Sequence, residues 1–226
     1  MIVSIDGPAG SGKSTVARRL AARLSFGYLD TGAMYRCVAL AAIRRWGAAP
    51  PSDPAERVRW EAALPSLAAS LSIELRGGAE GARVLLGGED VTRAIRTSEV
   101  SEMASSVAAV DGVRAALVGK QREIVATGDW VAEGRDVGTV VVPDAELKVF
   151  LTADPVERAR RRSAELGADA RTVLVEQAIR DARDSEREHS PLQAAADAEL
   201  IDTTALPVEA VIERILTLAR ERGGAA

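Results

Sequence analysis

Gly7-Pro8-Ala9-Gly10-Ser11-Gly12-Lys13-Ser14 matches the spacing Gly-x-x-x-x-Gly-Lys-Ser/Thr in full. Glycines at this spacing let backbone N–H groups turn inward around phosphate oxygens, and a helix starting behind them adds the partial positive charge of its N-terminus. Lys13 then reaches the β- and γ-phosphates of a nucleoside triphosphate, the Ser14 hydroxyl is the ligand for Mg2+, and Thr15 completes the cradle. The loop specifies a bound triphosphate and no particular acceptor, so kinase, GTPase and ATPase all stay open at this point.

Three further segments concentrate charge. They are Leu29-Asp30-Thr31-Gly32-Ala33-Met34-Tyr35-Arg36, Glu133-Gly134-Arg135-Asp136-Val137-Gly138-Thr139-Val140, and Arg180-Asp181-Ala182-Arg183-Asp184-Ser185-Glu186-Arg187 with Pro191-Leu192 behind it. Where two polyanions must approach each other, fixed guanidiniums offset the repulsion, and arginine offers planar, bidentate contacts to phosphate. Arg158, Arg160, Arg161 and Arg162 form a dense basic run. Most such runs are solvated helix faces, but Arg158 and Arg162 are the candidates for contact with ATP phosphates. Asp6, Asp30 and Glu133 are the carboxylates that could stand near Mg2+, Glu133 through a bound water at a strand end, and Asp6 and Asp30 alternatively as simple caps of helices. His189 is the single histidine and no Cys/His cluster has metal-site spacing; Cys37 sits among Val38, Ala39 and Leu40 and reads as a small core residue.

The elements that must position these groups alternate. Residues 2–5 read as a buried strand entering the glycine loop, and 13–24 as a helix with Val16, Leu20 and Leu24 on one side. Residues 28–29 form a second short strand, followed by a helix over 31–46. After a Pro-rich break a helix is expected over 55–63, with Asp53 as its N-cap and Pro54 in its first turn. Residues 71–76 and 83–87 pattern as a β-hairpin around the turn-rich 77–81, which suggests an insert over about 65–98. Helices resume at 99–109 and 112–126, strands at 130–132 and 147–151, separated by 134–144. Two polar helices, 155–166 and 171–188, form a solvated mobile unit; a last strand covers 200–201, and a helix begins near Pro207. Strand, glycine loop and helix in this order open an α/β fold with a parallel sheet.

The 226 residues suffice for one domain with an inserted or mobile part. With 3% aromatic residues, the core must be built from Ala, Val, Leu and Ile. A formal net charge of −4 argues against a dedicated nucleic-acid binder, and no aromatic platform accompanies the basic run. The first residues lack a signal-peptide pattern, and no apolar run approaches the roughly 18 residues of a membrane span, so the expectation is a cytoplasmic protein.

The glycine loop and the three charged segments, in this order, resemble the bacterial cytidylate kinase family from about residue 2 to 220, including Gly88-Glu89-Asp90-Val91-Thr92 and Ile95-Arg96-Thr97-Ser98-Glu99-Val100-Ser101. The resemblance implies a P-loop fold: a five-stranded parallel sheet flanked by helices, a β-containing monophosphate-binding insert at about 65–98 and a helical lid at about 155–188. It implies transfer of the ATP γ-phosphate to CMP or dCMP with Mg2+, by a monomer. Carried onto matching positions, it sets Arg36, Arg135 and Arg187 on the CMP phosphate and the group in transfer. Ser105, Arg114 and Asp136 then read cytosine, Arg180 and Asp184 hold the sugar hydroxyls, and Thr31 lies with the substrate. The rivals are a kinase for another small acceptor, such as UMP, AMP or shikimate, and a slow nucleotide-hydrolysing switch. The absence of an Asn-Lys-x-Asp segment speaks against the switch.

Overall fold

The computed structural model describes residues 1–76, 83–187 and 190–223. Along the chain run β1 (Ile2–Asp6), α1 (Lys13–Leu24), β2 (Gly27–Asp30), α2 (Thr31–Trp46), α3 (Pro54–Ser70), β3 (Ile73–Arg76), β4 (Arg83–Leu86) and β5 (Glu89–Asp90). A 3-10 turn (Ala94–Arg96) precedes α4 (Ser98–Val107), α5 (Asp111–Val125) and β6 (Trp130–Gly134). A π-helical turn (Val137–Val141), β7 (Leu147–Thr152), α6 (Pro155–Leu166), α7 (Ala170–Ser185), β8 (Glu199–Asp202) and α8 (Val208–Gly223) complete the order.

These residues fall into two compact units, Met1–Leu29 with Val125–Ala226, and Asp30–Ile124. The first is built on a five-stranded sheet in the order β2-β6-β1-β7-β8, with β1 parallel to both its neighbours and β8 parallel to β7. Near-continuous apolar runs such as Leu147–Thr152 are what a sheet covered on both faces requires. Val3, Ile5, Leu147, Leu151 and Ile201 are fully buried in one cluster with Val16, Ala17 and Leu20 of α1 and Val211, Ile212 and Ile215 of α8. The aliphatic core expected from the scarcity of aromatics is therefore present. Register aligns Ile5 with Glu133 and Asp6 with Gly134, so the loops after β1 and β6 leave the sheet side by side at its carboxyl end. The strand order reverses at β1, and in open α/β sheets ligands bind outside the carboxyl ends at such a point.

In the second unit α2 packs on α4, and Met34, Leu64, Ile95, Met103 and Leu117 form its buried centre. Cys37 is fully buried here, and burial together with the nearby Asp30 carboxylate pushes its thiol up to about 12, which suits a core residue and no redox role.

One expectation needs correction, and two segments carry structure beyond what was expected. The helix expected over 55–63 continues to Ser70 through Pro65, burying Trp60, Leu64 and Ala68. The Pro65 ring lies against Gly112, where a Cβ would come within 2.5 Å of its Cγ. The β-rich segment is a three-stranded antiparallel sheet, because Leu85 and Leu86 of β4 pair with Asp90 and Glu89 as well as with β3. Its expected turn at 77–81 lies outside the described residues, as does His189. The connection over 134–144 contains the π-helical turn, which sequence periodicity did not indicate.

Candidate active site

The loop between β1 and α1 is held from several sides. Gly7 has φ +144°, and a Cβ there would sit 2.0 Å from the Leu151 carbonyl oxygen; Gly10 has φ +77°, and its Cβ would meet Arg158 Cβ at 2.9 Å. Only glycine tolerates both the dihedrals and the close approach. The Ser11 hydroxyl donates to Pro8 O at 2.9 Å, and Thr203 Oγ1, on the loop after β8, lies 3.1 Å from Ser11 O. Helices α2, α3, α4, α6 and α7 each begin with an Asp or Thr side chain accepting a backbone N–H. At α1 the N-cap is Gly12 and no side chain caps the N–H groups, which leaves them for an anion.

Lys13 Nζ donates to Pro8 O at 2.7 Å, folding back over its own loop. Burial, reinforced by the Arg135 guanidinium, holds the ammonium below the usual lysine range. At the adjacent edge Glu133, 3% exposed, accepts Ser14 Oγ on Oε2 at 3.0 Å and the Tyr28 hydroxyl on Oε1 at 2.6 Å.

The cationic part of this unit is organised around one carboxylate. Asp184 is 2% exposed; its Oδ2 lies 3.1 Å from Arg135 Nε and 4.0 Å from Arg180 Nε, and its Oδ1 accepts from Arg187. Arg135 also donates to Gly7 O at 2.9 Å, tying this cluster to the glycine loop. Arg158 donates to Ala9 O at 3.1 Å and to Ala153 O at 3.1 Å, and pairs with Asp181 of α7. Of the basic run, Arg158 alone turns onto the loop in this way. Arg160 and Arg161 pair with Glu157, Arg162 pairs with Glu165, and Arg161 also reaches Thr203.

Asp6 accepts the N–H groups of Val137 and Gly138 at 2.8 and 2.7 Å, and Asp136 O accepts those of Val140 and Val141. These bonds fix the segment directly behind Arg135 and Asp136. Burial raises the Asp6 carboxyl to about 6, even though the two N–H donors pull the other way. Because its folded value lies above the unfolded one, Asp6 contributes most stability below about pH 4 and loses it as pH rises through about 6. A carboxyl carbon titration of Asp6 by NMR should have its midpoint near 6; a midpoint in the ordinary aspartate range would contradict the enclosed site.

In the second unit Asp30 accepts Ala33 N at 2.8 Å, so it caps α2, and Thr31 is buried as the first residue of that helix. Arg36 donates to Ile95 O at 3.0 Å and to Ser101 Oγ at 2.6 Å. Ser105 and Arg114 are 5% and 6% exposed, and Arg114 lies over the Tyr35 ring at 5.6 Å. Ser105 Oγ has no hydrogen-bond partner among the described residues, whereas Ser106 Oγ turns back to Glu102 O at 3.5 Å. A buried hydroxyl left without a partner is costly unless a ligand completes it.

Thus Gly7, Pro8, Ala9, Gly10, Ser11, Gly12, Lys13, Ser14, Thr15, Arg135, Asp136, Arg158, Arg180, Asp184 and Arg187 belong to the first unit. Thr31, Arg36, Ser105 and Arg114 belong to the second. Sequence reading did not single out Tyr28, Asp181 or Thr203. The Asp202-Thr203-Thr204 run after the last strand was a usable signal for Thr203, while nothing local pointed to Tyr28.

Comparison with known proteins bears on the chain as a whole. The family model described as cytidylate kinase matches residues 3–221. A cytidylate kinase of Pelotomaculum thermopropionicum is 51% identical over 95% of this chain and 93% of its own length. One of Syntrophotalea carbinolica is 48% identical over 98% of this chain and 93% of its own. Among solved structures, an uncharacterized protein from Eubacterium ventriosum aligns with a TM-score of 0.56 over 98% of this chain and 99% of that one. At 13% identity that likeness concerns the fold alone.

Proposed function

The chain belongs to the cytidylate kinase family, and on that premise we propose how its residues divide the transfer of a phosphoryl group from ATP to CMP. The enzyme converts ATP and CMP to ADP and CDP; dCMP is proposed as an alternative acceptor. The observation that carries the mechanistic reading is the glycine loop, closed by Leu151 and Arg158 and leading into a helix whose N-terminus has no side-chain cap.

In-line phosphoryl transfer leaves the protein little covalent chemistry, so positioning and charge stabilisation dominate. The loop N–H groups and the start of α1 hold the ATP phosphates, with Arg158 at the loop's flank. Lys13 exchanges its bond to Pro8 O for the β- and γ-oxygens, and the phosphate charge restores the ammonium that burial disfavours. Arg36, Arg135 and Arg187 neutralise the CMP phosphate and the equatorial oxygens of the group in transfer. Arg180 and Asp184 serve the sugar hydroxyls, and Thr31 the acceptor. The ion pairs of Asp184 add a second duty, since its carboxylate gathers the arginines that would otherwise repel one another. Closure of the helical lid over both nucleotides is proposed to exclude water.

The residues present suit Mg2+. Ser14 and Glu133 supply the hard oxygen donors that Mg2+ prefers. Bound with ATP at Ser14 and Glu133, the ion would supply compensation of the triphosphate charge. Asp6 and Asp30 are spent on backbone N–H groups, so Glu133 is the carboxylate we assign to this edge. We also propose a cytoplasmic monomer; no helix of the described residues is long and apolar enough to cross a membrane.

Cytosine differs from uracil by an amino donor at C4 and an unprotonated N3. Asp136 and Ser105 accept from the amino group, and Arg114 donates to N3 or O2. Uracil would set acceptor against acceptor and donor against donor. Ser105→Ala combined with Asp136→Ala should lower kcat/KM for CMP by on the order of 10- to 100-fold more than for UMP. An equal loss on both nucleotides would mean that these residues support structure and cytosine is read elsewhere.

A further inference from the structure

We propose that Tyr28 is a positioning residue for the metal-bearing edge of the phosphate loop, its hydroxyl fixing Glu133 so that Glu133 orients the hydroxyl of Ser14. The inference rests on the Mg2+ reading above and extends it to a residue outside the loop and outside the charged motifs.

The geometry is a three-member relay within one unit. Tyr28 Oη donates to Glu133 Oε1 at 2.6 Å, and Ser14 Oγ donates to Glu133 Oε2 at 3.0 Å. Both hydroxyls donate to Glu133, so both protons point at its carboxylate oxygens. Ser14 has one proton; with it committed to Oε2, its oxygen lone pairs are left for a cation. If Glu133 rotated, the Ser14 proton would be free to take other acceptors, including an ATP phosphate, and the hydroxyl would present the wrong polarity to Mg2+. Glu133 is 3% exposed at the end of β6, so little water is available to hold its carboxylate in place. Tyr28 performs that task from the neighbouring strand β2, while its ring packs as a partly buried member of the aliphatic core. Groups that orient metal ligands from behind commonly affect metal affinity by about 10- to 100-fold.

Tyr28→Phe keeps the ring and deletes only the hydroxyl, so it separates positioning from packing. Calorimetric binding of the β,γ-imido analogue of ATP would be compared with Mg2+ present and with the metal chelated. The ratio of the two affinities is expected to fall by about tenfold in Tyr28→Phe, with metal-free binding unchanged and a thermal midpoint lowered only by the loss of one hydrogen bond to an enclosed carboxylate. In a Glu133→Gln background, Tyr28→Phe should cause no further fall. An unchanged ratio in Tyr28→Phe, an equal loss with and without metal, or a full Tyr28 effect persisting in Glu133→Gln would each overturn the proposal. A wild-type protein showing no metal enhancement would overturn the Mg2+ reading itself, and that outcome is visible before any variant is made.

Discussion

Lys13→Ala is expected to lower kcat by about 100- to 1,000-fold while leaving the protein folded and equally stable. The side chain makes one bond to its own loop, at Pro8 O, and its charge is disfavoured by burial and by Arg135, so the fold gains little from it. In the transition state the same ammonium meets the charge that develops on the β- and γ-oxygens. An interaction made mainly there lowers kcat when removed and leaves the KM for CMP largely unchanged. Steady-state kinetics and a thermal melt test this together. A fall in kcat of less than about tenfold would remove Lys13 from that role.

Asp184→Ala should destabilise the protein by about 3 kcal/mol, because it leaves enclosed guanidiniums without their counterion. Asp184 is 2% exposed, while Arg135 and Arg187 are 17% and 12% exposed, so water screens the remaining charges poorly. Added inorganic phosphate should recover part of the lost stability by occupying the position vacated by the carboxylate. Urea unfolding with and without phosphate measures both effects. A loss below about 0.5 kcal/mol would show that the arginines are held by other bonds.

Local chemistry made much of this molecule legible. The glycine loop, the Asp53 cap of α3 and the short apolar strands declare themselves within a few residues. Pairings between distant positions do not. Tyr28 meets Glu133 across 105 residues, and Thr203 meets Ser11 across 192, through sheet neighbours that no periodicity reveals. The close packing of the Pro65 ring on Gly112 joins two different helices. The π-helical turn depends on Asp6, whose oxygens collect N–H groups from a segment more than a hundred residues on. The motif residues were readable one by one, but the arginine cluster on Asp184 required α7 and the loop after β6 to be placed in one structure.

The central claim is that this chain phosphorylates a cytosine monophosphate at the expense of ATP. Coupled detection of ADP release with CMP, dCMP, UMP, AMP and GMP, each at matched concentrations, tests it most directly. The expected result is rapid, acceptor-dependent turnover with CMP and dCMP, at a kcat/KM at least about tenfold above UMP and further above the purines. ADP release that is independent of the acceptor, or faster with UMP, AMP or GMP than with CMP, would contradict the account.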